Sequence, residues 1–490
     1  MVDDMKRKES SAVAVAVMII GALAASGCVN LLPARSTNSR PVPASPGDTA
    51  GLPSPQVPVR PVPTLPEGLL KDGATFDLAQ VVEIALRTSP LTRQSWLTAK
   101  AAAAQVGVEM APFYPALDLS VASSRGKVSP DGRLVDTAGS WGPSATLSYL
   151  LLDFGGRAAD VEDARQTLLA ADWAHDATVQ GLVFGVQQAY FQYQTSKAQL
   201  EAAQSAAKQA ETALEVATGR HDAGVATIAD VLQARTAFSL ATFNLAGAKG
   251  RVASFRGALA TAMGLPPTIP FDTGPLAGEV PLDAVTGKVE PLIEQAMSRR
   301  PDLNASRALV LRAEARVRSV RSEGLPVLSL SATANRTTYR PQVSADSRNN
   351  WSARALVTYP LFSGFKNSYG LARAKADAAA AEAGTESFEQ EVVLQVWTAY
   401  YELQTAAEQV RAARDLLASA EQSERVALGR YKEGVGTILD LLTAQSALSG
   451  ARAQEIQARA DFFIAAAQLA RATGRIAVAD TAVVTEKREP

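Results

Sequence analysis

The sequence predicts a mainly α-helical chain written twice in tandem, with one β-hairpin in each copy. Three observations predict it. The stretch GRHDAGVATIADVLQAR at 219–235 returns as GRYKEGVGTILDLLTAQ at 429–445. Tyr149, Tyr190, Gly219, Gly224 and Asp230 align with Tyr359, Tyr400, Gly429, Gly434 and Asp440, each displaced by 210 (359 minus 149) without a gap. Earlier segments, SPLTR against RPDLN and YPALDLS against LPVLSLS, align at a displacement of 211 (300 minus 89). Within each copy the hydrophobic period switches from helical to alternating and back.

Composition excludes most catalytic vocabularies. The chain has 490 residues and a formal net charge of -1, so it carries no whole-molecule field for nucleic acid. Two histidines and one cysteine allow no internal disulfide, zinc cluster or multi-histidine site. No Ser/His/Asp set or phosphate loop is present, and His175 and His221 are isolated on helical and turn sequence. The expectation is a protein that is not an enzyme and takes no cofactor or metal.

The first 27 residues read as a signal peptide. MKRK is basic, the apolar run AVAVAVMIIGALAA is shorter than the roughly 20 residues of a spanning helix, and ASGC closes it at Cys28. Asp3 and Asp4 sit awkwardly in a basic leader, which points to Met5 as an alternative start. A lone cysteine behind a small-residue box resembles a bacterial lipoprotein signal with Cys28 acylated, although Ala25 departs from the usual leucine. Val29 stands where an aspartate is associated with inner-membrane retention. An ordinary signal peptide with an incidental cysteine is the alternative. Residues 28–75, rich in proline between Pro41 and Pro66, read as an extended tether. The repeats are placed at 76–275 and 276–475, with a tail at 476–490.

Helical spacing is expected from about Asp77 to Met110, and again from about Glu290 to Ser322. Strict alternation follows: Leu117, Leu119 and Val121 share one face, then Ala145, Leu147, Tyr149 and Leu151, opposite serines and threonines. Leu328 to Ala334 and Trp351 to Leu361 repeat the pattern. Trp141 and Trp351 stand at one end of the strands and Tyr149 and Tyr359 at the other, like the two aromatic girdles of a membrane β-barrel. A hairpin packed on a soluble core shows the same alternation, so the strands alone leave both readings open. Next comes a helix from about Arg157 to Thr218, whose stripe includes Val183, Val186, Tyr190, Tyr193, Ala207, Ala210 and Ala217. Its roughly 90 Å exceeds a compact domain. A second helix returns from about Thr227 to Met263. The helix before the hairpin and the returning one, stacked end to end, match the long one.

Four strands cannot close a barrel, since the smallest membrane barrels have about eight, and hydrocarbon does not tolerate open edges. Strands that enter a membrane must therefore be shared among chains, and three chains supply twelve.

The tandem units, with LSYLLLDFGG or VTYPLFSGF at the strand-to-helix junction and a YxxGxxTxxD-like turn, resemble the outer membrane efflux protein (TolC-like) family over roughly Phe76 to Arg475. The resemblance implies a homotrimer with a twelve-stranded β-barrel in the outer membrane of a Gram-negative bacterium, continuous with a long periplasmic α-helical barrel. It implies a passive exit duct for small molecules, working with a periplasmic adaptor protein and an inner-membrane pump. The lipid anchor resembles the branch serving resistance, nodulation and division pumps. Channels of type I protein secretion are the alternative within the class, and a structural coiled-coil surface protein the alternative outside it.

In each tip Gly224 or Gly434 lets the backbone reverse, Thr227 or Thr437 caps the returning helix, and Val225 or Val435 pins the turn. The resemblance adds that these six residues contact the adaptor. Asp230 and Asp440 complement the helix macrodipole; the resemblance places them at a constriction as acidic rings. It also matches Tyr431 to an aromatic gating residue, with His221 at that place in the first copy. Gly436 stands where a family member has a longer polar residue.

Overall fold

The computed structural model of the chain describes residues 75–125, 127–128, 135–136, 139–276, 280–281, 287–340 and 346–475. The expected signal peptide, Cys28, the tether before residue 75 and the tail after residue 475 lie outside the described residues.

Each expected leading helix is two helices. α1 (Leu78–Thr88) starts at a capping box in which the Gln80 amide donates to Asp77 Oδ1 at 2.8 Å. It ends before Ser89–Pro90, where α2 (Pro90–Met110) begins. Proline disfavours helix at the residue before it and has no N–H to continue the ladder, so Ser89 is extended. The second copy splits likewise at Arg300–Pro301, into α5 (Glu290–Arg299) and α6 (Pro301–Ser322).

The hairpins lie side by side in one antiparallel sheet. β2 (Ala116–Ser124) pairs with β5 (Gly139–Leu152), β5 with β7 (Val327–Arg340), and β7 with β8 (Asp346–Thr358). β2 and β8 are the outer strands, with no further partner among the described residues. Register carries the alternation across all four strands: Leu117 faces Leu147, Leu147 faces Ala332 and Ala332 faces Ala353. The adjacent row, Asp118, Thr146, Thr333 and Ser352, is polar. Short pairs complete the strands. β3 (Lys127–Val128) meets β4 (Val135–Asp136), and β1 (Thr75–Phe76) runs parallel to β6 (Asp272–Thr273).

Two consecutive left-handed residues turn each last strand into a long helix. They are Phe154 and Gly155 (φ 53° and 91°) in the first copy, and Gly364 and Phe365 (φ 62° and 64°) in the second. In the first copy Arg157 fastens this corner. Its Nη1 donates to the carbonyls of Leu150 (2.6 Å) and Pro112 (2.9 Å), and its guanidinium lies 4.7 Å from the Phe113 ring centroid. The equivalent residue in the second copy is Asn367.

α3 (Gly156–Asp222) and α7 (Lys366–Lys432) each have 67 residues, about 100 Å at 1.5 Å per residue. The returning helices α4 (Ile228–Ala262) and α8 (Ile438–Ala472) have 35 each, and α1 and α2 have 11 and 21. The expected end-to-end stack follows from these lengths. At its joint Thr88 Oγ1 donates to the Met263 carbonyl, and Gly264 (φ +71°) lies so close that a Cβ there would meet Thr88 O at 3.2 Å. Gly474 (φ +69°) abuts Arg299 in the same way.

The largest apolar cluster joins the copies at mid-length. Val183, Val186, Tyr190 and Tyr193 of α3 are buried with Leu403 and Val410 of α7 and Phe462 of α8, and Phe191 stacks on Phe463 at 5.1 Å. Tyr193 Oη and Lys197 Nζ converge on Asp272 Oδ1, fixing β6 to α3. α6 packs against both α3 and α7, whereas α2 packs against α3 and leaves Leu91, Trp96, Leu97 and Val108 exposed.

Candidate functional site: the paired helical tips

α3 and α7 end in the same way because the same backbone bonds close them. Gly224 N donates to His221 O at 2.8 Å and Val225 N to Arg220 O at 2.9 Å; Gly434 N donates to Tyr431 O at 3.2 Å and Val435 N to Arg430 O at 3.0 Å. These satisfy the last helical carbonyls in the manner of a glycine C-cap. Gly224 and Gly434 have φ of +77° and +78°, as the reversal demands. The valines hold the turn through these amides, while the residues themselves are 65 % and 69 % exposed.

Each returning helix starts from a reciprocal cap. Asp230 N donates to Thr227 Oγ1 (3.3 Å) and Thr227 N to Asp230 Oδ2 (2.8 Å); Asp440 N donates to Thr437 Oγ1 (3.2 Å) and Thr437 N to Asp440 Oδ2 (3.1 Å). The aspartates therefore do more than complement the dipole. Each supplies half of a capping box. Hydrogen bonds from the Thr437 hydroxyl and then its amide hold the Asp440 carboxyl below the usual aspartate value.

The two copies differ at the aromatic position. Tyr431 is 3 % exposed, packed with Ala213, Ala217, Ala234, Ile438 and Leu441 rather than presented to solvent. Burial pushes its hydroxyl above the usual tyrosine value. The guanidinium of Arg220 lies 4.9 Å from its ring centroid, and Arg220 Nη1 donates to the Tyr431 carbonyl at 2.6 Å. His221 instead bonds locally, with Nδ1 3.1 Å from the Ala226 carbonyl, so Nδ1 carries the proton of that bond. Gly436 has a local reason: a Cβ there would come within 3.2 Å of the Arg430 and Tyr431 backbone.

At the sheet, Trp351 is 82 % exposed and Tyr359 is exposed, while Trp141 and Tyr149 are half-buried. Sequence reasoning missed the other exposed aromatics where helices and strands meet, Phe113, Tyr114, Phe154, Phe362, Phe365 and Tyr369. Their signal was the aromatic density of YPLFSGF and its neighbours, outside the alternating segments. No described helix is long and apolar enough to cross a membrane, and no described group of three or more acidic, histidine or cysteine side chains is placed to hold a metal.

The sequence profile of the outer membrane efflux protein family matches residues 81–265 and 292–475, one match per copy. Protein CyaE of Bordetella pertussis is 30 % identical over 402 residues, covering 81 % of this chain and 84 % of that one. The toluene efflux pump outer membrane protein TtgC of Pseudomonas putida is 28 % identical over 409 residues, covering 79 % and 82 %. The crystal structure of the outer membrane protein VceC from Vibrio cholerae shares the fold, with a TM-score of 0.71 at 21 % identity over 81 % of this chain and 96 % of that one. With a doubled fold and a profile match in both copies, the chain belongs to the outer membrane efflux protein family.

Proposed function

We propose that the protein is the outer-membrane channel of a tripartite efflux system, a passive duct that receives small molecules from a periplasmic adaptor and an inner-membrane pump. Membership of the efflux family and the TolC-like fold support this reading. Three chains form the channel. The observation that carries the trimer is the four-stranded sheet: its apolar row runs in register across every strand, and β2 and β8 keep open edges. A lipid-facing sheet must close, and three sheets of four strands give a twelve-stranded barrel. The exposed apolar flank of α2 is the matching helical contact for a neighbouring chain.

In this reading Trp141, Trp351, Tyr149 and Tyr359 mark the two edges of the membrane, and Cys28 carries acyl chains that anchor the tether. The partner pump is of the resistance, nodulation and division type. The tip residues Gly224, Val225, Thr227, Gly434, Val435 and Thr437 meet the adaptor, for which the protruding Val225 and Val435 side chains offer apolar contact. Asp230 and Asp440 form acidic rings at the constriction, and Tyr431 sets the position of the second tip. The duct performs no reaction.

The test is the native mass of the detergent-extracted protein, with and without Cys28. Three chains, each carrying acyl mass that disappears in Cys28→Ser, support the shared barrel and the anchor. A monomer that stays soluble without detergent overturns both.

A further inference from the structure

On its polar face the sheet carries charge only at its two outer strands. Asp118 is the one charged residue of β2, β5 has none, and the arginines of β7, Arg336 and Arg340, stand at positions of the opposite alternation. β8 begins with Asp346 and Arg348 at its loop end, and Arg348 is already engaged, which leaves Arg354. Asp118 shares its row with Thr146, Thr333 and Ser352, and Arg354 shares the adjacent polar row with Ala116, Ser148 and Ser331. Both are exposed, and neither forms an ion pair or hydrogen bond among the described residues. One open edge therefore carries an anion and the other a cation.

The shared barrel of the proposed trimer sets β8 of one chain beside β2 of the next. A strand tilt of about 35–45° carries the register by about four to six residues across four strands. An offset of about four in one sense places all nine residues of β2 opposite 350–358 of the neighbouring β8. The same offset in the other sense leaves 121–124 without partners. In the first arrangement Leu117 meets Val357 and Val121 meets Ala353, so the apolar band runs unbroken over the seam. Ser120 then faces Arg354, and Asp118 lies on its diagonal at about 7–8 Å, a spacing that long side chains span.

We propose that Arg354 of one chain pairs with Asp118 of the next on the inner face of the barrel, and that this pair fixes the register in which a second copy of the chain docks on the open edge. The inference rests on the trimer reading and adds to it the residues that align the chains. A guanidinium and a carboxylate form charge-assisted hydrogen bonds. Meeting β2 to β2 or β8 to β8 would put like charges on one seam, which is unfavourable between neighbouring strands. The same two residues therefore disfavour symmetric edge pairing and favour the head-to-tail contact that closes a ring.

The experiment measures the temperature at which the detergent-extracted trimer dissociates, for the full chain, Asp118→Arg, Arg354→Asp and the doubly exchanged variant. Each single reversal sets like charges at three seams and is expected to lower that temperature by several degrees. The exchange restores opposite charges and is expected to recover most of the loss. A double variant as labile as the two single losses added together overturns the pair. The register is read separately by oxidising Ser120→Cys with Arg354→Cys in a Cys28→Ser background, which is expected to give covalent trimers on a non-reducing gel. Ser124→Cys with Arg354→Cys is expected to give none. Absent cross-linking in the first pair, or equal cross-linking in the second, overturns the register, and this comparison decides even where a charge reversal prevents assembly. A monomeric native mass of the unaltered protein overturns the trimer reading and the pair together, whereas a trimeric mass with neither recovery nor cross-linking overturns the pair alone.

Discussion

Arg220 reaches from the end of α3 to the end of α7, where its guanidinium covers the Tyr431 ring at 4.9 Å and bonds the Tyr431 carbonyl at 2.6 Å. One side chain of the first copy thus holds both the ring and the backbone of the second tip. A planar fork can do both at once, and a lysine ammonium cannot. A cation–π contact and a charged hydrogen bond together are worth about 1–3 kcal/mol. Arg220→Met therefore frees the second tip while leaving the sheet and joints intact, and Arg220→Lys retains part of the restraint. In planar bilayers the methionine variant is expected to show raised baseline conductance and the lysine variant an intermediate value. Conductance equal to that of the unaltered protein in both would show that the contact does not restrain the tip.

The glycines of the two tips carry unequal burdens. Both lie in the left-handed region, where a β-branched residue costs at least about 1–2 kcal/mol. At Gly224 a new Cβ meets nothing within 4 Å, whereas at Gly434 it lies 3.7 Å from Arg220 Nη2. Gly434→Val therefore strains the turn and places a branched side chain in van der Waals contact with the arginine as well. Transport of a fluorescent substrate by cells carrying Gly434→Val is expected to be lost at normal abundance and native mass, with Gly224→Val less affected. Equal transport by Gly434→Val and the unaltered protein would remove the second tip from the mechanism.

Much of this arrangement was legible in the sequence because its determinants are local. Glycine, threonine and aspartate at fixed offsets specify a reversal and a cap, and Leu117, Leu119 and Val121 specify a strand face. The proline breaks at Pro90 and Pro301 were equally local, but the alanine-rich periodicity on either side masked them. The Arg220–Tyr431 contact joins residues 211 apart; the two side chains stand in different copies of one motif and meet only when α3 and α7 are packed. Tyr431 looks like an ordinary position of α7 until Ala213 and Ala217 of α3 pack against it. That Val225 and Val435 hold the turn through their amides and not through packing is less legible, because an apolar residue in a turn suggests a buried side chain.

Asp440 links the tip to pH. Its carboxyl accepts from the Thr437 hydroxyl and amide, which lowers its folded-state pKa. A lowered carboxylate pKa adds stability that is present above the ordinary aspartate value, about 3.9, and is lost as pH falls through the folded value. Fraying of the first turn of α8 is therefore expected only in acid below that ordinary value. Thr437→Ala should return the Asp440 titration, followed by NMR, toward the ordinary value; an unmoved titration would exclude the cap as its cause. In the same region, Asp230→Ala with Asp440→Ala should weaken divalent-cation block of conductance, and unchanged block would sink the acidic rings.

Phe365 separates stability in detergent from insertion in lipid. It is exposed and left-handed (φ 64°), a conformation that glycine adopts freely and a bulky residue does not. The first copy writes the same corner in the opposite order, Phe154 then Gly155, so each corner keeps one strained phenylalanine although a glycine pair would be easier. Phe365 makes an edge-on contact with Phe362 at 5.5 Å, and both rings point away from the protein core. That combination suits a membrane interface, where aromatic rings are favoured. Phe365→Gly is accordingly expected to raise thermal stability in detergent by about 1 kcal/mol and to lower the yield of protein inserted in lipid vesicles. Lower stability in detergent would mean that the ring packs within the protein. Unchanged insertion would mean that the strained corner has no part in holding the barrel at the membrane edge.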